Sequence, residues 1–336
     1  MHEISYAKAL NEAIAEEMRR DPRVYMIGTE VGRFDYHLNP ITMGLAVEFG
    51  DDRVIECGIT ERYIAGSVVG GALGGARPIA NLSSAAYATL AYDEIFAKGG
   101  MWHYEHGGNG GLTLPVVWLM NFSGYGTSAA EHVRAPIGMF FHSVGLKLVV
   151  PSNGYDAKGL LKPAIRDDDP VVFMNPRPLI SDIVAIPDED YTLPFGVANV
   201  MAHGTDCTVV ATGFQVKQSL QAAKLLEKEG ISVEVIDPRT LIPLDIDTIL
   251  ESVCKTGRLV IVGEDIVRGS VESEIAFQVQ EKIWESLKAP IGRVGNPNMP
   301  LPASPALHAA IMPSPDKIAL AVRTTMGSKQ TQKMRA

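Results

Sequence analysis

The chain has 336 residues and a formal net charge of −9, with 30 Lys and Arg against 39 Asp and Glu. That acidic balance offers no basic face to nucleic acid or to an anionic membrane surface. The length exceeds what one core commonly serves, so two domains are expected, and 46% hydrophobic with 21% charged residues suits a globular α/β protein.

The opening MHEISYAKALNEAI reads as an amphipathic helix running from about Tyr6 to Asp21, with Ala7, Leu10, Ile14 and Met18 at helical spacing. It has neither the basic start nor the continuous apolar run of a signal peptide. VYMIG (Val24 to Gly28) follows as a strand, and RVIECGI as a second. TERYIAGSVVGGALGGARP predicts a helix dense in glycine at Gly66, Gly70, Gly71, Gly74 and Gly75. Each glycine costs an exposed helix roughly 1 kcal/mol, so this helix makes sense buried. Close approach by a subunit or a cofactor, or tight packing of helix on sheet, would each explain it.

PIANL (Pro78 to Leu82) predicts a third strand, Tyr87 to Glu105 a helix, HGGNGG a loop and LPVVWLMNF a buried strand. A helix at about Pro136 to His142, the strand LKLVVP, the helix GYDAKGLLKPAIRDDDP and the strand VVFMN complete the first series. Strands alternating with helices imply a doubly wound parallel sheet, here over residues 1–175. Residues 176–202, rich in Pro, Asp and Ile, read as an extended linker. A second βα series then runs over 203–326, from DCTVVATG through RLVIVGED to the helix SVESEIAFQVQEKI, and residues 327–336 form a polar tail. No apolar run reaches the roughly 18 residues that span a bilayer. Cys57, Cys207 and Cys254 are far apart and form no CxxC, which fits a reduced interior, so a soluble cytoplasmic protein is expected.

The motifs exclude several chemistries. Gly124, Gly126 and Ala129 make a G-x-G-x-x-A after a strand, but the following VGLKLVVPS lacks the acidic residue a dinucleotide site requires. No G-x-x-x-x-G-K-[ST], G-x-S-x-G or H-E-x-x-H occurs. Glu61, in CGITERYIAG, stands just after a strand, where the carboxyl ends of an open α/β sheet meet ligand. A first-turn acid favoured by the helix dipole would read the same way. His103, His106, His132 and His142 cluster along the chain, and composition does not choose among them.

Nearly the whole chain, from SYAKALNEAI to SPDKIALAV, resembles the β-subunit family of pyruvate, branched-chain 2-oxo acid and acetoin dehydrogenases. The phrases that carry the resemblance include DPRVYMIGTEVG, CGITERYIAGSVVGGALGGARP, YDEIFAKG, DPRTLIPLD and, most specific, VVPSNGYDAKGLLKPAIRDDDPVVF. The resemblance implies a transketolase-like fold: an N-terminal pyrimidine-binding domain and a C-terminal transketolase-type domain, both doubly wound. It implies an α2β2 heterotetramer holding thiamine diphosphate at each α/β interface, with the α-subunit gripping the diphosphate through magnesium. The activity implied is decarboxylation of a 2-oxo acid and transfer of the acyl group to lipoyl. Acetoin cleavage, or ketol transfer by one half of a split transketolase, uses the same machinery.

Residue by residue, Glu61 matches the family's catalytic glutamate, which holds a pyrimidine nitrogen of the cofactor. Tyr87 falls where the family stacks an aromatic ring on the aminopyrimidine, and Ile59 lines the same pocket. His132, in SAAEHVRAP, matches a histidine that assists acyl transfer to lipoyl, although Glu131, Val133 and Arg134 replace its usual neighbours. Ala164, Ile165, Asp167 and Asp169 match a segment that binds structural potassium, and the same RDDDP also reads as a solvated turn. The C-terminal domain is expected to dock the lipoyl-bearing acyltransferase core.

Overall fold

The computed structural model describes residues 1–32, 39–108, 112–123, 125, 130–132 and 134–327. They fall into two compact units. One comprises Met1–Phe122 with Met139–Phe195, the other Ser123–Gly138 with Gly196–Ala336.

The first unit opens with β1 (His2–Ser5), α1 (Tyr6–Arg20), β2 (Val24–Gly28), α2 (Leu45–Phe49), β3 (Val54–Glu56), α3 (Glu61–Leu73) and β4 (Arg77–Ser84). It continues through α4 (Ala85–Ala88), α5 (Trp102–Glu105), β5 (Val117–Phe122), α6 (Ile137–Phe141, at the division between units), β6 (Lys147–Val149), α7 (Gly154–Arg166), β7 (Val171–Pro176) and β8 (Ile183–Ile186). Six strands run in the order β6-β7-β5-β4-β2-β3, each parallel to its neighbours. Parallel strands covered on both faces need apolar side chains on both, and Val117 to Met120 and every residue of β7 are buried accordingly.

Helix α1 starts at Ser5, whose hydroxyl accepts the Lys8 N–H at 3.2 Å, and it buries Leu10, Ile14 and Met18. Its polar residues face α7. Lys158 and Lys162 are almost wholly buried, yet each ammonium meets carboxylates: Lys158 donates to Glu12 at 2.9 Å and to Glu16 at 2.7 Å, and Lys162 pairs with Glu16 and Asp190. Arg166 grips Glu17 in the same seam at 2.6 and 2.9 Å. Removing one member would strand a charge out of water, so the set is retained together.

Two expectations of local structure are corrected. His2–Ser5 precedes the first helix as a strand, antiparallel to Ile183–Ile186, so the proline-rich stretch contains a paired strand. The single helix expected from Tyr87 to Glu105 is broken into α4, a 3₁₀ turn at Thr89–Ala91, a wider π turn over Glu94–Gly100, and α5. A Cβ at Gly99 would lie 2.3 Å from the Trp118 ring, and the wide turn seats the bare backbone against that indole.

The second unit contains β9 (Asn199–Ala202), β10 (Cys207–Ala211), α8 (Phe214–Glu227), β11 (Val233–Asp237), β12 (Thr240–Ile242), α9 (Ile246–Thr256) and β13 (Leu259–Ile266). It closes with α10 (Val271–Ile283), β14 (Gly292–Asn296), α11 (Pro305–Ile311) and α12 (Pro315–Thr325). Its sheet runs β14-β13-β10-β11-β9, parallel except for β9. Val209, Val235, Val260 and Val262 form a core with Val216, Ala222 and Leu226 of α8 and with Ile318, Ala319 and Val322 of α12. The three cysteines are free, and no helix among the described residues is long and apolar enough to cross a membrane.

Candidate active site

Strand β3 ends at Glu56, and five residues later Glu61 begins α3. The N-cap Thr60 makes no side-chain cap, so the positive end of the helix is left to the first-turn carboxylate of Glu61. Glu61 is half-buried in an open cleft of about 700 Å³. Its walls are Thr60 to Tyr63, Gly66 and Ser67 of the same helical start, with Leu90 and Glu94 opposite. Arg62 Nε donates to Glu94 Oε1 at 3.0 Å. Of the two carboxylates in the cleft, Glu94 is therefore engaged by a guanidinium.

The loop ahead of Glu61 is held from beneath. Cys57 N–H donates to Gly28 O at 2.8 Å, and Thr60 Oγ1 donates to Gly58 O at 3.0 Å. The Glu56 carboxylate accepts three backbone N–H groups, from Glu30 at 3.1 Å, Val31 at 2.8 Å and Gly32 at 2.6 Å. Those bonds fix the turn after β2, where Glu30 takes a left-handed φ of 59°. A non-glycine residue there costs of order 1–3 kcal/mol and needs such support. The C-terminal ends of β2 and β3 thus form one rigid platform beneath the cleft.

The glycine-rich helix has a packing cause. Ile64, Ala65, Val68 and Ala72 face the interior, and a Cβ at Gly71 would stand 2.2 Å from the Tyr25 hydroxyl oxygen. Three apolar side chains in or beside the cleft are uncovered: Ile59 is 83% exposed, Tyr63 61% and Leu90 65%. Single exposed apolar side chains are ordinary, but three around one carboxylate make a patch that another surface would cover.

The other predicted residues are distributed as follows. Ile59 stands in the loop before Glu61, and Tyr87 is half-buried in α4; neither forms a wall of the cleft. His132 is exposed and belongs to the 123–138 segment of the second unit. Gly124, Gly126 and Ala129 lie outside the described residues. Ala164 is buried in the last turn of α7. Just beyond, Arg77 donates to Ile165 O at 2.9 Å, to Asp167 O and to the Asp168 carboxylate at 3.0 Å. Lys147 Nζ bridges Asp167, at 2.7 and 2.6 Å, and Asp169, at 2.9 Å. Burial raises the Asp169 carboxyl, but Lys147 and then His103 outweigh it and hold that group below its ordinary range. Each of these carbonyl oxygens keeps a second lone pair beside its bond to Arg77, while the side chains of Asp167 and Asp169 are committed to Lys147.

Arg62, Glu94 and Glu56 were not singled out in the sequence. Arg62 adjoins Glu61 in ITERY, but its partner lies 32 residues on. Glu56 ends a strand and reads locally as solvated.

Comparison with known proteins gives the family and the fold. The transketolase pyrimidine-binding domain family matches residues 2–182, and the transketolase C-terminal domain family matches residues 196–318. The chain is 39% identical over 325 residues to the 2-oxoisovalerate dehydrogenase subunit beta of Bacillus subtilis, covering 96% of this chain and 98% of that one. It is 40% identical over 332 residues to the acetoin:2,6-dichlorophenolindophenol oxidoreductase subunit beta of Cupriavidus necator, covering 96% and 97%. Among solved structures, a split-gene transketolase, described as an inactive beta4 tetramer, superposes with a TM-score of 0.80 at 22% identity, covering 96% of this chain and 99% of that one. At that identity the likeness concerns the fold.

Proposed function

The chain belongs to the β-subunit family of 2-oxo acid and acetoin dehydrogenases, and we propose that it is the β-subunit of a thiamine-diphosphate-dependent 2-oxo acid dehydrogenase, acting with an α-subunit. The observation that carries this reading is the place of Glu61, on the first turn of α3 beyond β3, in an open cleft with an uncovered apolar rim. A carboxylate beside apolar walls suits a flat heteroaromatic ring whose nitrogen shares a proton. When bound, thiamine diphosphate supplies the carbon nucleophile and the electron sink.

The chain's own residues orient that group and handle protons. Glu61 holds a proton against the pyrimidine nitrogen, Tyr87 offers a ring to stack on the aminopyrimidine, and Ile59 adds apolar surface. His132 donates a proton to the sulfur released when lipoyl takes the acyl group. An α-subunit covers Ile59, Tyr63 and Leu90 and brings the magnesium-bound diphosphate, in an α2β2 assembly in the cytoplasm. The second unit docks the lipoyl acyltransferase core. Ala164, Ile165, Asp167 and Asp169, at the C-terminal end of α7, would hold a structural potassium ion with no part in the chemistry.

Acetoin cleavage is the second reading, supported by 40% identity to the Cupriavidus necator subunit. Co-purification with the α-subunit, followed by assay on 2-oxo acids, acetoin and ketose phosphates, decides between them. Turnover of a 2-oxo acid with lipoyl acylation is expected. Turnover of acetoin alone would select the second reading, and turnover of ketose phosphates alone would overturn both.

A further inference from the structure

The cleft that holds Glu61 has a second carboxylate in its walls, Glu94, and one guanidinium, Arg62. The π turn over Glu94–Gly100 brings Glu94 to the start of α3. A Cβ at Gly66 would meet Glu94 Oε2 at 3.4 Å and Cδ at 3.5 Å, so the carboxylate lies against bare helix backbone. Its other oxygen accepts Arg62 Nε at 3.0 Å. The Glu94 side chain is 17% exposed and that of Arg62 73%. An ion pair with so exposed a cation adds little to stability. Its effect on the charge of the cleft is larger. Without Arg62, the Glu94 carboxylate would stand uncompensated in the space it shares with Glu61, and a like charge nearby makes a proton harder to remove.

The other titratable groups on and around the elements packed against α3 have other places. Glu56 accepts three backbone N–H groups, Arg77 bonds the carbonyls at the end of α7, and Tyr25 abuts Gly71 farther along the helix. Tyr92 donates to Met139 O at 3.0 Å. Cys57, Tyr87, Asp93 and Lys98 form none of the walls of the cleft, whose remaining titratable member is Tyr63. We propose that Arg62 is a positioning residue that acts through Glu94: it cancels that carboxylate, so that Glu61 manages the pyrimidine proton without a second negative charge beside it. The inference rests on the reading of Glu61 as the group that handles this proton. Arg62 follows Glu61 directly in the chain, so the helix start that places the acid also places the cation that offsets its neighbour.

The test is the pH profile of turnover by the assembled α/β pair, with whichever substrate it takes. Arg62→Gln leaves Glu94 uncompensated and should move the optimum to higher pH by roughly 0.5 of a unit or more. Glu94→Gln leaves the guanidinium uncompensated and should move the optimum to lower pH by a similar amount. The double variant should return to the parent's optimum. Arg62→Lys, which keeps the charge and loses the planar fork, should stay at it. Each single variant carries its sign alone, should the other fail to assemble. An optimum that does not move, or that moves the same way in both single variants, would overturn the inference. Parent-like turnover in Glu61→Gln would remove the reading of Glu61, and the inference with it.

Discussion

Gly71 of α3 lies so close to Tyr25 of β2 that a methyl group on it would come within 2.2 Å of the phenolic oxygen and 3.2 Å of the ring carbon that bears it. The helix that begins with Glu61 is thereby seated on the strand beside β3, and Gly71 is the point of closest approach. Gly71→Ala is expected to destabilise the protein by about 1–3 kcal/mol through overpacking. Tyr25→Phe, which removes the offending oxygen, should recover most of the loss in the double variant. Denaturant unfolding of the four-member cycle measures the coupling, and additive effects would disprove the contact.

Arg77 closes the end of α7 by donating to Ile165 O and Asp167 O. Its side chain is only 10% exposed, so few waters could replace it. Arg77→Met leaves those carbonyls without their donor and should cost about 2–4 kcal/mol. Lys147→Met should cost less, because Lys147 bonds carboxylates that retain access to solvent. Unfolding midpoints of the two variants give the order directly.

Burial first, and the nearby Asp265 carboxylate in addition, raise the Glu272 carboxyl above its ordinary range. The sign follows from linkage. A carboxyl raised on folding contributes stability that is complete below its unfolded value, about 4.3, and is lost as pH climbs through the folded value. Glu272→Gln keeps the shape and removes the titration. The variant should match the parent at about pH 4 and melt several degrees higher at about pH 8. A constant difference across that range would contradict the assignment.

The order of strands and helices was legible because buried parallel strands leave continuous apolar runs and α1 leaves a 3.6-residue stripe. The place of Glu61 at the start of a helix after a strand was legible, and the phrases around it supply the role proposed for it. The β1–β8 ribbon was not, since two four-residue strands 178 residues apart, as in Ser5 with Ile183, carry no local signature. The π turn at Glu94–Gly100 was hidden because its cause, the Trp118 indole, lies elsewhere in the chain. Residues 123–138 join the second unit through bonds spanning 188 residues from Tyr125 and 127 from Gly138, which no window of sequence contains.

On the proposed reading the open cleft, with Tyr63 and Leu90 uncovered in its walls and Ile59 beside it, is only one half of the cofactor site. Calorimetric titration with thiamine diphosphate and magnesium should therefore give binding to the isolated chain at least 100-fold weaker than to the α/β pair, roughly the loss of 3 kcal/mol of contacts. Equal affinities would place the whole site on this chain.

The most direct measurement is the turnover of the reconstituted α/β pair carrying Glu61→Ala, with assembly confirmed by co-purification. If Glu61 manages the proton at the pyrimidine, turnover of the 2-oxo acid falls on the order of 10²–10⁴-fold while the pair still forms. Turnover at the parent's rate would contradict the account at its centre.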